Sequence, residues 1–310
     1  MIDANEPSEL LVKPEETEFR KTSLSRTLFS LALFIAVDYW IFKSWFAVLL
    51  LVTVVFIHEL GHFIAMKVFG YKSVNMTFVP FVGAYVSGKA SNLSRKNKLI
   101  VLLAGPVPGI IIGCCMLYSY QNNFDPLYRQ IALPFLLLNV FNLLPVYPLD
   151  GGQFFQTLFF NGSRIIQLLF LGLSLATLIY LFFKLDYAWI LLLIALLVLL
   201  RIGQVNFIHK VRKKLDEEGF DYACSYDDLT DEEYWHLRAL IINEHRSLSK
   251  KYDPDLPADN EQPIIKYVES ILVPGYEDDL TVTHKIVFSL VWVAALIAPV
   301  LQWLLFKGYL

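Results

Sequence analysis

Long apolar runs alternate with short polar loops along most of this chain. A helix that crosses a bilayer needs about 17–25 predominantly apolar residues, and the pattern predicts seven such helices. The first is the shortest, and the fourth is broken by prolines. The candidates are residues 27–42, 45–69, 99–119, 131–160, 164–183, 187–203 and 286–306.

Two regions depart from this pattern. The stretch 204–285 is charged and has no run long enough to span a bilayer, and Thr230 followed by Glu233 fits a capping box that opens a helix. The stretch 1–26 is rich in glutamate and lacks the basic start and apolar core of a signal peptide. We therefore expect a mobile N-terminal tail over 1–26, a membrane core over 27–203, a soluble helical insert over 204–285 and a C-terminal transmembrane helix over 286–310.

The loop 71–97 contains an apolar, β-prone run from Met76 to Val86 that is too short to cross the membrane. Non-helical backbone at membrane depth is tolerated only where it is buried in protein or lines a cavity. The pattern predicts a small re-entrant β loop, and an amphipathic interfacial segment is the alternative. The fold class expected is an all-α polytopic membrane protein with about six or seven transmembrane helices, this β loop and the soluble insert.

Composition supports a membrane protein that works in the lipid bilayer. Hydrophobic residues make up 56% of the 310 positions, above the range of ordinary soluble domains, and the net charge of −3 gives no reason to expect nucleic-acid binding. The three cysteines, Cys114, Cys115 and Cys224, have no spacing that indicates a disulfide framework or a zinc knuckle.

The distribution of basic residues predicts the orientation in a cell membrane. If the N-terminus is cytoplasmic and the spans alternate, 22 of the 26 Lys and Arg residues fall on the cytoplasmic side. The insert 204–285 is then cytoplasmic as well. The four basic residues on the other side are Lys43, Arg129, Lys184 and Lys307.

The sequence His-Glu-Leu-Gly-His occupies positions 58–62, in the middle of the second predicted span. Histidines four residues apart share one face of a helix, so His58 and His62 can bind one metal ion. Glu59, beside the first ligand, is placed to act as a general base. Ionisable groups at this depth are costly to insert, which favours a functional site over a histidine pair kept for packing.

A catalytic zinc site needs a third protein ligand, and Asp150 is the candidate. It follows Pro145 and Pro148, which interrupt the fourth span. The break lies about as far along its helix as His58 lies along the second span, roughly 20 Å from the same face. An ordinary helix N-cap at a loop is the alternative for Asp150.

Together these motifs resemble the site-2 protease family. The resemblance rests on the motif at 58–62, on Asn-x-x-Pro-x-x-x-Leu-Asp-Gly at 142–151 and on Ala-Gly-Pro-x-Pro-Gly at 104–109. It implies an intramembrane zinc endopeptidase that cleaves the transmembrane helix of a membrane-protein substrate. It also implies zinc at His58, His62 and Asp150, catalysis by Glu59, and a polar role for Asn142 near the substrate carbonyl.

 

In that family the segment like 78–88 forms a membrane-embedded β loop that presents a strand edge to the unwound substrate. We expect Gly83, Tyr85 and Gly88 in this loop to contribute to substrate binding, and the two glycines permit a turn or a close approach of the backbone. The family usually carries a PDZ or CBS domain. The loop 71–97 is too short for the first, and the helical insert 204–285 is short for a CBS pair. The implied process is regulated intramembrane proteolysis.

A second hypothesis is a membrane protein that binds metal without proteolysis, such as a zinc transporter or a scaffold descended from the protease. A transporter is expected to show pseudo-symmetry between its halves, and the sequence shows none. A protein that only binds metal needs no base beside the ligands, so Glu59 favours the enzyme. An aspartyl protease is not expected, because Asp38 has no second aspartate in a matching context. A serine protease is not expected either, because Ser87 has no histidine partner outside the motif.

Overall fold

The computed structural model describes residues 12–15, 24–79, 83–89, 94–160, 163–184, 190–273 and 279–306. Within these ranges the chain forms eleven helices and one two-stranded sheet. The elements are α1 Leu24–Phe42, α2 Trp45–Val68, β1 Lys72–Val79, β2 Gly83–Lys89, α3 Arg95–Ala104, α4 Pro106–Asn123, α5 Pro126–Asn142, α6 Asp150–Phe159, α7 Arg164–Lys184, α8 Ile190–Glu218, α9 Asp231–Glu244, α10 Gln262–Ile271 and α11 Val282–Phe306.

Six segments of the described chain are long and apolar enough to cross a membrane, by length and composition. They confirm the predicted polytopic helical fold, and the protein is a multi-pass membrane protein. Four match predicted spans closely, the third combines α3 and α4, and the fifth continues to Glu218, past the predicted end at residue 203. The segments are Ser25–Phe42, Trp45–Val68, Arg95–Asn123, Arg164–Lys184, Leu191–Glu218 and Val282–Leu305.

The span predicted over 131–160 is divided between two short helices. Helix α5 has 17 residues and α6 has 10, so neither reaches the length of the six segments above. Between them the chain turns through Pro145 and Pro148, which have no backbone N–H to continue a helix. The peptide bond between Tyr147 and Pro148 is cis. This turn delivers Asp150 to the first position of α6.

The predicted β loop is present as an antiparallel hairpin of β1 and β2. Thr77 pairs with Tyr85 and Met76 pairs with Val86, and the pairing is irregular between Lys72 and Asn75. Residues 80–82, which join the strands, lie outside the described residues.

The chain divides into two compact units. The membrane unit comprises residues 20–200 and 277–310, and the insert unit comprises residues 1–19 and 201–276. One core of the membrane unit gathers side chains from α3, α4, α5 and α6, including Leu99 and Phe154.

The insert unit has its own hydrophobic core, built on the last part of α8 and on α9 and α10. The capping box predicted at Thr230 is present: its side chain accepts from the Glu233 N–H, and the Glu233 carboxylate accepts from the Thr230 N–H. The core includes Val211, Leu215, Tyr226, Leu229, Tyr234, Leu237, Ile241, Ile242, Ile264, Ile265 and Val268.

The structure describes the predicted tail only over residues 12–15 and 24–26. Residues 24–26 belong to α1. Residues 12–15 have no regular secondary structure, and the Lys13 side chain donates hydrogen bonds to backbone carbonyls of the insert unit. The rest of the tail, 1–11 and 16–23, lies outside the described residues.

Candidate metal centre

Helix α2 places His58 and His62 on one face, as their four-residue spacing dictates. The two Nε2 atoms are 3.2 Å apart. Both side chains are buried, and so is that of Glu59 between them in sequence. The apolar residues around the motif make α2 a membrane helix, so these three ionisable groups lie within a transmembrane segment.

Asp150 completes the cluster from the start of α6. Its Oδ2 lies 3.1 Å from Nε2 of His58 and 3.1 Å from Nε2 of His62. In the described part of the chain, these three residues form the one group of His, Cys, Asp or Glu side chains close enough to share a metal ion.

Asn139 on α5 fixes the protonation of the His58 ring. The Asn139 Nδ2 donates to the Phe135 carbonyl oxygen at 2.7 Å, so Oδ1 is the atom that faces His58 Nδ1 at 2.8 Å. Because an amide oxygen only accepts, the proton of His58 must sit on Nδ1. The Nε2 lone pair is then directed at the cluster.

His62 is fixed in the same way by a backbone carbonyl. Its Nδ1 lies 2.8 Å from the carbonyl oxygen of Val101 on α3. A carbonyl oxygen can only accept, so the His62 ring also carries its proton on Nδ1. Outer partners of this kind set the tautomer and orientation of metal-binding histidines.

When both rings are neutral, two imidazole lone pairs and one carboxylate oxygen converge at 3.1–3.2 Å from one another. A cation at their centre is then attracted by all three atoms. Tetrahedral zinc with bonds of about 2.0–2.1 Å places its ligand atoms about 3.3 Å apart. The donor set and its dimensions fit zinc.

Glu59 is tied to the hairpin. Its carboxylate accepts a hydrogen bond from the backbone N–H of Val86 on β2, and it interacts electrostatically with all three members of the cluster. It is not part of the ligand triangle. The hairpin thus contacts the group that the sequence assigns to proton transfer.

The Ala-Gly-Pro-x-Pro-Gly motif brings backbone close to the site. A Cβ on Gly105 would lie 2.2 Å from Nε2 of His62, and a Cβ on Gly109 would lie 2.1 Å from Nδ2 of Asn139. Contacts this short do not occur between real side chains, so these positions have room only for hydrogen. The motif therefore lets α3 and α4 pack directly against the His62 ring and against the partner of His58.

The turn that carries Asp150 is held from two other helices. Trp292 on α11 donates its Nε1–H to the Leu143 carbonyl at 2.9 Å, and Ser174 on α7 accepts from the Tyr147 N–H at 3.3 Å. Inside α6, Gln153 donates to the Pro148 carbonyl at 2.9 Å. Sequence reasoning missed these supports because nothing local marks them.

The remaining predicted residues lie away from the ligand triangle or on the hairpin. Asn142 is half-buried, and its Nδ2 donates to the Leu138 carbonyl of its own helix at 3.1 Å. Gly83 opens β2 with a φ of +118°. Tyr85 is 52% exposed. Gly88 faces β1, where an added Cβ would lie 3.1 Å from Val74.

Comparisons with known proteins agree with the motifs. Residues 46–132 match the family model of peptidase family M50. The chain is 31% identical over 169 residues to a zinc metalloprotease of Methanocaldococcus jannaschii, covering 51% of this chain and 48% of that protein. It is 33% identical over 119 residues to stage IV sporulation protein FB of Bacillus subtilis, covering 36% of this chain and 40% of that protein.

The chain thus spans less than half the length of either of these curated relatives. A solved structure of a site-2 protease from Methanocaldococcus jannaschii is 26% identical, with a TM-score of 0.41, and the match covers 58% of this chain and 87% of that one. The resemblance to the site-2 protease family predicted from the motifs is confirmed, and the match to peptidase family M50 includes His58, Glu59 and His62.

Proposed function

We propose that this protein is an intramembrane zinc metalloendopeptidase. The observation that carries the proposal is the buried triangle of His58, His62 and Asp150, with both histidines held in the tautomer that directs Nε2 inward. Side chains kept only for packing would not bring three hydrogen-bond acceptors together beside a fourth ionisable residue. Zinc is the metal whose ligand types and distances fit.

Zinc bound there would supply a Lewis acid that polarises a peptide carbonyl and makes a bound water acidic. The other groups of the site belong to the chain. The Glu59 carboxylate takes the proton of the attacking water and later gives it to the leaving amine. The Val86 N–H, which hydrogen-bonds to that carboxylate, helps to hold it in place.

The substrate proposed is a membrane protein with a transmembrane helix. A helical backbone uses its carbonyls in its own hydrogen bonds, so the helix must unwind before it can be cut. The outer edge of β2 offers replacement partners by strand addition. The backbone N–H of Val86 points to Glu59 and therefore away from β1. Residues two apart in a strand face the same side, so the backbone N–H and C=O groups of Ala84 also point outward.

Gly83, Tyr85 and Gly88 have different parts in this proposal. Gly83, with its positive φ, turns the chain into β2. Gly88 allows β2 to lie close to Val74 at the other end of the strand. The exposed ring of Tyr85 is available to a substrate side chain. Asn142, one turn along α5 from Asn139, would donate its second amide hydrogen to the substrate carbonyl as negative charge develops there.

We further propose that α5 and α6 together make one crossing of the bilayer, and that the N-terminus and residues 204–285 are cytoplasmic, as the distribution of basic residues then predicts. The site would then be reached from the cytoplasmic half of the bilayer, and cleavage would release a cytoplasmic fragment in regulated proteolysis. Cysteines introduced into 204–285 should react with an impermeant reagent only from the cytoplasmic face; labelling from the outer face would reverse the orientation.

Cleavage by the purified protein in liposomes tests the activity. The substrate is a single-span reporter whose transmembrane helix contains a central Asn-Pro pair to ease unwinding. Wild type should cleave it, a chelator should stop cleavage, and added zinc should restore it. Glu59→Gln should retain zinc and lose about 10²–10⁴-fold in rate. Full cleavage by Glu59→Gln would contradict the role of Glu59 as the general base, and a wild-type protein that binds zinc but does not cleave would favour metal binding without proteolysis.

A further inference from the structure

The segment Val12–Glu15 is bound to the insert unit like a short peptide ligand. The Lys13 backbone N–H donates to Asp231 Oδ1 at 2.8 Å. The Tyr226 hydroxyl donates to the Pro14 carbonyl at 2.7 Å, and Gln262 Nε2 donates to the Glu15 carbonyl at 3.3 Å. Three consecutive residues of the segment are therefore held through their backbones, by partners that come from three parts of the insert unit.

The Lys13 ammonium has a site of its own. Its three hydrogens match three backbone carbonyls, those of Tyr226 at 3.0 Å, Asp227 at 3.2 Å and Leu229 at 2.6 Å. The ammonium also lies 5.1 Å from the centroid of the Tyr226 ring, within cation–π distance. A compact ammonium suits three converging oxygens better than a planar guanidinium does.

The site is built on rigid structure. Tyr226 and Leu229 are both buried and belong to the core of the insert unit. The capping box of α9 fixes the backbone directly after Leu229. Five of the seven residues from 227 to 233 are acidic, so the surroundings favour a cation.

We propose that the insert unit carries a recognition site for a Lys-Pro peptide, and that the chain's own residues 12–15 fill it. Pro14 lowers the entropy lost on docking because its φ is already fixed. The specificity resides in the charge of Lys13. Neutralising that charge should therefore release the segment from the site.

Hydrogen exchange on the full-length protein in detergent tests the docking. The Lys13 amide should exchange at least about tenfold more slowly than in a free peptide, since it is bonded to Asp231. Lys13→Met should remove this protection. Val12→Ala, a change at an exposed neighbour, should leave it intact. Exchange of the wild-type Lys13 amide at the free-peptide rate would overturn the proposal.

Peptide binding tests the lysine specificity. A labelled peptide with the sequence of positions 8–19 should bind the Lys13→Met protein at least about tenfold more tightly than wild type, where the tethered segment competes at high effective concentration. Acetyl-lysine at position 13 of the peptide should abolish binding, and arginine should weaken it. Equal binding by the acetylated and unmodified peptides would overturn the assignment to Lys13, as would a failure to bind the Lys13→Met protein.

Discussion

The side-chain oxygen of Asn139 lies 2.8 Å from Nδ1 of His58, and Asn139 is fully buried. The amide nitrogen of Asn139 is occupied by the Phe135 carbonyl, so the residue cannot flip without losing that bond. It therefore holds the His58 ring in one tautomer and one orientation. An uncharged partner sets the metal-binding face of this histidine.

Loss of the Asn139 oxygen should weaken zinc binding. We expect Asn139→Ala to lower zinc affinity about 10–100-fold, the usual effect of removing an outer partner of a metal-bound histidine. Asn142→Ala is the matched control, because the Asn142 amide bonds to its own helix and should leave zinc affinity unchanged. Competition with a chromophoric chelator measures both. Equal zinc affinity in wild type and Asn139→Ala would contradict the role given to Asn139.

A methyl group on Gly105 should displace His62. The added Cβ would lie 2.2 Å from Nε2, the atom assigned to the metal. We expect Gly105→Ala to lose zinc and cleavage while the protein still inserts into the membrane. Gly172→Ala on α7 is the control, since an added Cβ there meets nothing within 4 Å. A Gly105→Ala protein that keeps normal zinc content would show that His62 is not held as described.

The outward edge of β2 should be needed for substrate. Ala84→Pro removes one backbone donor on that edge, and we expect cleavage to fall at least about tenfold with zinc content unchanged. Ala84→Val keeps the donor and should cleave normally. If the two variants cleave equally well, strand addition at this edge is ruled out, while the zinc chemistry stands.

A buried arginine organises the insert unit. Arg238 is fully buried, pairs with Glu261 at 2.9 Å and donates to the carbonyls of Asp253, Pro254 and Leu256. Burial and the neighbouring Glu261 carboxylate raise the pKa of Tyr234, so its hydroxyl stays protonated and donates to that carboxylate.

Removing this guanidinium leaves Glu261 buried without its charge partner. We expect Arg238→Met to destabilise the insert unit by about 3–5 kcal/mol, measured as the free energy of local opening by hydrogen exchange in α9 and α10. Arg246→Met, at an exposed position, should change it by less than about 0.5 kcal/mol. Similar opening energies in the two variants would contradict a stabilising role for the network.

The sequence predicted what local pattern controls. Apolar runs marked the spans, prolines marked the break before Asp150, and the four-residue spacing placed His58 and His62 on one face. Long-range contacts could not be predicted in this way. Which amide supports His58 depends on how α5 is rotated against α2, and the motif at 142–151 directed attention to Asn142 rather than Asn139. A buried amide within an apolar run was the available signal.

Metal content of the purified protein tests the central claim most directly, that His58, His62 and Asp150 bind one zinc ion and Glu59 does not. Mass spectrometry of the metal should give one zinc per chain for wild type and for Glu59→Gln. His58→Ala and Asp150→Ala should each retain less than about a tenth of that amount, since each removes one of three protein ligands. Full zinc occupancy in Asp150→Ala, or loss of zinc in Glu59→Gln, would contradict the account.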